Sequence, residues 1–152
     1  MQLTPSKINT FLFFKLPAAY FCGVRVQTIS KTKCVTTVKH RWINQNPFRS
    51  MYFAVQCMAA ELSTGALVMQ YIRHSKKNIS MLVGQQNGVY SKKAVGRIIF
   101  ECVDGSLIAE TVKKAIDTGE GQEVVLKSTG KNSAGDIVST MNFHWYIKLK
   151  ES

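Results

Sequence analysis

A carboxylate shielded from water can take up a proton near neutral pH, and Glu61 is placed to be such a group. It is the one charged residue in the run Met51 to Ile72, MYFAVQCMAAELSTGALVMQYI. Burial there would raise its pKa toward the range useful for general base chemistry. A second reading of Glu61 is a structural carboxylate, satisfied by a neighbouring tyrosine, by Ser63 or Thr64, or by a partner subunit. Upstream, Asn46-Pro47 is a turn signal whose asparagine could also touch a ligand, and Ser50 is placed to be an N-cap. His40, His74 and His144 have no metal-ligand spacing and no acidic or cysteine partner nearby in the sequence, so no metal site is expected. The Gly130 to Ser133 run lacks the earlier glycine of a phosphate-binding loop and reads as a hairpin turn, and no Gly-x-Ser-x-Gly elbow occurs.

The elements that must position Glu61 follow from periodicity. A helix over about residues 50–73 that is apolar on every face has to be buried. Its length also suits a bilayer, but Gln56, Glu61, Ser63, Thr64 and Gln70 would each need a partner in hydrocarbon, so no membrane insertion is expected. Thr4 as N-cap and Pro5 at the first helical position, with Ile8, Phe11 and Leu12 at helical spacing, predict an N-terminal amphipathic helix over 4–16 that Pro17 stops. Lys15 and Pro17 interrupt what could otherwise pass for a signal peptide. Val24 to Ile29 and Cys34 to Val38 read as a β-hairpin. After the long helix come a strand from Ile79 to Tyr90, interrupted at Gly84 and Gly88 by a bulge or close backbone approach, and a strand from Gly96 to Val103. A short surface helix over 106–117 is ended by Gly119, and strands Glu123 to Ser128 and Ile137 to Leu149 finish the chain, the last one central. With one long helix available, repeated βαβ units are excluded. An α+β architecture remains, with an antiparallel sheet of five to six strands wrapped around the central helix.

Composition narrows the class. The 152 residues, 45% of them hydrophobic, have the size of a single domain spanning 1–152. Cys22, Cys34, Cys57 and Cys102 form no Cys-x-x-Cys pair and sit in apolar runs, which fits reduced thiols in the cytoplasm. The net charge of +11 suits a polyanionic partner: nucleic acid, a membrane surface or a ligand with several phosphates. The basic residues are scattered and no base-stacking motif accompanies them, so no specific nucleic-acid partner is expected.

Asn46, Tyr52 and Glu61 stand six and then nine positions apart. This spacing resembles the signature of the hotdog-fold acyl-CoA thioesterases of the phenylacetate-pathway type, in which Asn is followed six positions later by His-Gly-Gly and an acid comes nine positions after the His. Val89-Tyr90-Ser91-Lys92-Lys93-Ala94 with Gly96 resembles that family's Tyr-x-Arg-Pro-Ala segment, and Gly135-Asp136-Ile137-Val138 resembles its turn into the last strand. Tyr52-Phe53-Ala54 replaces the His-Gly-Gly turn, and the whole is most similar to a thioesterase-like branch of the superfamily.

The resemblance implies a hotdog fold and acyl-thioester hydrolysis without a cofactor, coenzyme A or an acyl carrier being part of the substrate. Glu61 would act as general base or nucleophile, the backbone N–H near Phe53 as oxyanion donor, and Tyr52 would offer a hydroxyl where the family has imidazole, with Asn46 beside them. Ser50, Met58, Thr64 and Gly65 would contact the substrate, and Lys92, Lys93 and Arg97 would hold the nucleotide phosphates. Phe48, Met51, Met58, Met69 and Tyr71 either line an acyl tunnel or fill the core. Sites at a subunit boundary imply a homodimer or homotetramer. The alternative is a non-catalytic acyl-CoA or fatty-acyl binding protein of the same fold.

Overall fold

The computed structural model describes residues 3–150. Helices α1 (Pro5–Lys15) and α2 (Pro17–Phe21) lead into strands β1 (Arg25–Ile29) and β2 (Cys34–Lys39). A 3-10 turn, Trp42–Asn44, and an irregular loop then precede the long helix α3 (Phe53–Ser75). Strands β3 (Ile79–Tyr90) and β4 (Arg97–Cys102), helix α4 (Gly105–Thr118) and strands β5 (Gln122–Lys131) and β6 (Ile137–Leu149) complete the chain. All six strands form one antiparallel sheet in the order β1-β2-β4-β5-β6-β3. It packs around α3 in the hotdog arrangement expected from the sequence.

The local chemistry explains most of these elements. The Thr4 hydroxyl caps α1 by accepting from the Lys7 amide, with Pro5 at the start of the helix. Pro17 does stop α1, but its fixed φ also starts α2, a helix the sequence reading did not anticipate. Gly119 closes α4 with a left-handed φ of 71°. In β3 the register shifts between Val83 and Gln85, and a Cβ at Gly84 would run into the Tyr146 ring, so the close approach expected of this glycine is met here. β6 lies between β5 and β3, as a central strand should.

The start of α3 departs from expectation. Tyr52, not Ser50, is the N-cap residue, and its side chain does not cap the helix. Ser50 is buried two residues earlier, where its hydroxyl pairs with the Asn46 side chain. The loop therefore takes the polar groups that the helix end would have used.

The two edges of the sheet differ. Along β1 the Asn9 side chain of α1 bonds both the N–H and the C=O of Val26, so the helix covers that edge. β3 is twelve residues long, pairs on one side with β6, and among the described residues has no neighbour on the other. Its residues from Gly84 to Tyr90 are all exposed. The core lies between the sheet and α3, where Ala59, Ala60, Ala66, Leu67 and Val68 meet Phe100, Leu126, Met141, Phe143 and Ile147. Among the described residues no helix is long and apolar enough to cross a membrane.

Candidate functional site

Among the cavities lined by described residues, one lies at the N-terminus of α3 and another two turns further along. The first, about 500 Å³, is lined by Asn46, Phe48, Ser50, Tyr52, Phe53, Gln56, Tyr90, Lys92 and Lys93 among others. Asn46 builds its floor. Its Oδ1 accepts from the amides of Phe48 (2.9 Å) and Ser50 (3.2 Å), and its Nδ2 lies 3.0 Å from the Ser50 hydroxyl. Arg49 takes a left-handed φ of 60° to make the loop close. The side chain that the sequence marks as a ligand contact is thus committed to shaping the turn into α3.

That turn leaves donors free. Tyr52 N–H is bonded to Asn44 C=O at 2.9 Å, and the amides of Val55 and Gln56 reach back to Tyr52 C=O. Among the described residues nothing accepts from the amides of Phe53 and Ala54, the first two of the helix. The helix dipole adds partial positive charge at the same place. Over it stand three exposed rings: Tyr52 lies edge-on to Phe53 at 4.9 Å between centroids, and Phe53 edge-on to Tyr90 at 6.0 Å.

Glu61 lies in the second cavity, about 230 Å³, with Met58, Leu62 and the Lys15–Ala19 segment that joins α1 to α2. No hydrogen bond or ion pair within the described chain reaches its carboxylate. Ser63 instead bonds Ala60 C=O and the Ser128 hydroxyl, and Thr64 donates to the backbone C=O of Glu61 while accepting from the Trp145 indole N–H at 3.0 Å. The local partners that would have made Glu61 a satisfied structural acid are therefore engaged elsewhere. Desolvation raises its pKa from 4.5 to about 7, so it is partly protonated at neutral pH. Glu61 in turn helps raise the pKa of the half-buried Cys57 thiol, after that thiol's own desolvation, so Cys57 is no ready thiolate.

The other expected residues separate clearly. Gly65 is buried one turn after Glu61, where an ideal Cβ would come within 3.1 Å of Glu61 Oε1 and 3.0 Å of the Trp145 ring. Its lack of a side chain gives the carboxylate and the indole their room. Thr64 is fully buried and fixes Trp145, one layer behind the cavity. Lys92 and Lys93 line the first cavity, Lys92 paired with Asp136 at 3.0 Å and Lys93 donating to Phe48 C=O at 3.3 Å. Arg97 lines neither cavity and donates to the Thr37 hydroxyl at 3.1 Å.

Three features escaped the sequence reading. Gln56 is buried at the inner wall of the first cavity and accepts from the Ser139 hydroxyl at 2.9 Å; a polar residue on an apolar helix was the available signal. The Lys15–Ala19 wall has no motif. The sequence puts no acid close to His144 along the chain, but the β5–β6 pairing supplies one in space: Nδ1 lies 2.7 Å from Glu123 Oε1, although both are outside the two cavities. Strand pairing brings together residues that chain distance keeps apart. Among the described residues no group of three His, Cys, Asp or Glu side chains could hold a metal ion.

Residues 6–147 match a family model described as a domain of unknown function, DUF4442. No curated protein matches the sequence. A protein of unknown function from Pseudomonas aeruginosa, described as a probable thioesterase, is similar in structure over 99% of this chain and 99% of its own, with a TM-score of 0.81 at 21% identity. One of unknown function from Chlorobaculum tepidum matches over 98% and 99%, with a TM-score of 0.83 at 18% identity. A thioesterase from Haemophilus influenzae matches over 98% and 93%, with a TM-score of 0.70 at 8% identity. At these identities the likeness is one of fold.

Proposed function

We propose that this chain, which belongs to the DUF4442 family, is an acyl-thioester hydrolase whose sites are completed between two copies. The observation that carries this reading is the Glu61 carboxylate, its pKa raised to about 7 at the wall of a mostly apolar cavity, with no partner among the described residues. A group that is part carboxylate and part acid at neutral pH can take a proton from water and later give one up.

The chemistry asks little more of the protein. Glu61 removes a proton as water oxygen bonds to the thioester carbonyl carbon, and the C–S bond then breaks. The thiolate leaves with the electron pair and takes the proton from Glu61. A thiol pKa near 8.5 makes the thiolate a good leaving group, so a second acid such as the absent histidine is dispensable. The Glu61 carboxylate as direct nucleophile is the other form of the same reading; it passes through an acyl anhydride that water then opens. The free amides of Phe53 and Ala54 are suited to the oxyanion.

One chain cannot bring these groups together. Phe53 and Glu61 are eight residues apart on α3, a rise of about 12 Å. The lean of helical side chains toward the N-terminus closes only a few ångströms of that. Phe53 and Glu61 also line different cavities. A two-fold partner can solve this by setting its own α3 N-terminus against Glu61, and the bare β3 edge is the surface on which a second copy would pair. In this reading Lys92 and Lys93 flank the nucleotide of coenzyme A, or the phosphopantetheine of an acyl carrier, and Met58 and Leu62 contact the acyl chain.

The test is release of free thiol from a panel of acyl-CoAs of different chain lengths. Turnover by the intact protein that is lost in Glu61→Gln supports hydrolysis. The three rings over the α3 N-terminus favour one competing reading, an acyl-CoA binding protein without turnover, and saturable binding with no thiol release would establish that instead.

A further inference from the structure

Residues 1–60 contain eight of the twenty Lys and Arg and none of the nine Asp and Glu; the first acid in the chain is Glu61. The net charge of this segment is therefore +8 of the total +11. The same segment exposes apolar side chains that a water-facing surface does not need. Phe14 at 70% exposure, with Phe13, Leu16 and Phe21, projects from the α1–α2 corner, and Phe13 stacks edge-on with Phe14 at 4.9 Å. Trp42, 84% exposed, and Ile43 stand on the 3-10 turn beside it. That turn is fastened to the end of α2, because Asn44 Nδ2 donates to Cys22 C=O at 2.9 Å and the Arg41 guanidinium packs against Gly23. Lys7, Lys15 and Arg41 are exposed on the same segments, and Lys7 shares a face of α1 with Phe14.

We propose that the α1–α2 corner and the Trp42 turn dock the protein on the surface of an anionic lipid bilayer. Exposed aromatic and aliphatic side chains enter the interfacial zone while lysine and arginine meet anionic headgroups, and the two contributions together are what reversible docking requires. Charge selects this occupant: Lys7, Lys15 and Arg41 stand exposed on the corner and the turn, and the segment that carries them has no acid of its own, a balance that complements acidic headgroups and would be repelled by a second copy of itself. Nucleic acid would use the cations but leave the aliphatic Leu16 and Ile43 unexplained. Lys15 and Leu16 of this corner also wall the Glu61 cavity, so a docked protein would hold that opening beside the membrane. This last link rests on the acyl-thioester reading and names its substrate as one with a long, membrane-soluble acyl chain; docking itself does not depend on it.

The experiment is co-flotation of the full chain with phosphatidylcholine vesicles, with and without phosphatidylserine, combined with tryptophan emission. Trp42 is exposed and Trp145 is 4% exposed, so a blue shift on adding vesicles reports Trp42 entering the interface. Expected are flotation only with the anionic vesicles, a blue shift that Trp42→Phe removes, and loss of bound protein by about tenfold in the Phe14→Ser/Phe21→Ser double variant. Lys7→Glu should weaken binding by at least about fivefold. Glu61→Gln should float like the intact protein, which separates failure of the hydrolase reading from failure of docking. The proposal is overturned by absence of flotation, or by flotation without the Trp42 shift that duplex RNA competes away. It is equally overturned if Phe14→Ser/Phe21→Ser dissociates an oligomer in lipid-free solution, which would make the patch an interface between copies.

Discussion

Two places on α3, its N-terminus at one end and the turn at Glu61 at the other, are built on opposite principles. At the N-terminus the chain is dense with hydrogen bonds: Asn46 ties Phe48 and Ser50, Tyr52 is tied to Asn44, and two free amides are left pointing out. Two turns on, the Glu61 carboxylate has no hydrogen-bonding partner among the described residues, and it faces mostly apolar side chains. The first end is ordered to present fixed dipoles, which stabilise developing charge only when they need not reorganise. The second withholds solvation from an ionisable group, which is how a carboxylate comes to hold and release a proton near neutral pH. A hydrolase needs both, and a single copy of the chain keeps them about 12 Å apart.

The contrast breaks most sharply at Glu61. Glu61→Gln keeps the shape and removes the base, so kcat should fall by about 10²–10⁴-fold, measured by thiol release at saturating substrate. In the intact protein kcat/KM should rise with pH through the Glu61 value of about 7 and level off above it, since the ionised form is the active one. A flat profile between pH 5 and 8, roughly the range that brackets such a group, would mean that another residue carries the step.

The donor end has a comparably clean probe. Phe53 is the first residue of α3, and Tyr52 before it has φ −60° and ψ 135°, a conformation that tolerates a following proline. Phe53→Pro therefore deletes one amide N–H and keeps the helix. It should cost about 10²–10³-fold in kcat if that amide meets the oxyanion. Because the two ends belong to different copies in a completed site, mixing and re-equilibrating inactive Glu61→Gln with inactive Phe53→Pro should restore activity through hybrid dimers that hold one intact site. No recovery in a mixture shown to contain hybrids would place both groups in one chain.

Gly65→Ala sharpens the comparison with a smaller effect. Its new methyl would press on Glu61 Oε1 from 3.1 Å and on Trp145 from 3.0 Å, so the carboxylate or the ring must shift. About a tenfold loss in kcat with a destabilisation of about 1–2 kcal/mol is expected, read by steady-state kinetics and chemical denaturation. Unchanged kcat beside that destabilisation would show that the carboxylate has room to spare.

Each end was legible in the sequence to a different degree. The apolar run around Glu61 announces a buried helix with one costly charge, and burial is what raises its pKa. Thr4-Pro5 and Gly119 mark helix ends because their conformational preferences act locally. The environment at each end was not legible. Spacing along the chain aligns Asn46, Tyr52 and Glu61 with one motif, but a helix turns nine residues into more than a dozen ångströms, about 13.5 Å, and the motif divides between two cavities. Ser50 looks like an N-cap because its hydroxyl is available in sequence; the Asn46 side chain competes for it in space. The Gln56–Ser139 contact depends on how α3 lies on the sheet, the Glu123–His144 contact on which strands pair, and the Lys15–Ala19 wall on where a short second helix settles. Those are outcomes of packing, which no local propensity encodes.

The smallest expected effect tests the buried end by itself, without substrate. The folded-state pKa of Glu61 lies near 7 and its ordinary value is 4.5, so the native state binds the proton more tightly than the unfolded chain does. Its contribution to stability is fully present below pH 4.5 and is lost as pH rises through about 7. Glutamine at this position has no such proton to lose. Glu61→Gln should therefore match the intact protein in acid and be the more stable of the two above neutrality, the gap opening across that window and then staying constant. The whole shift would correspond to about 3 kcal/mol, and partial access of the side chain to solvent reduces the expected gap to about 1 kcal/mol. Tm measured against pH for both proteins, at one protein concentration so that assembly does not move it, reads the difference directly. Glu61→Gln less stable than the intact protein at pH 8 would mean that a donor from a second copy already satisfies the carboxylate, and Glu61 would then be a link between subunits instead of a base.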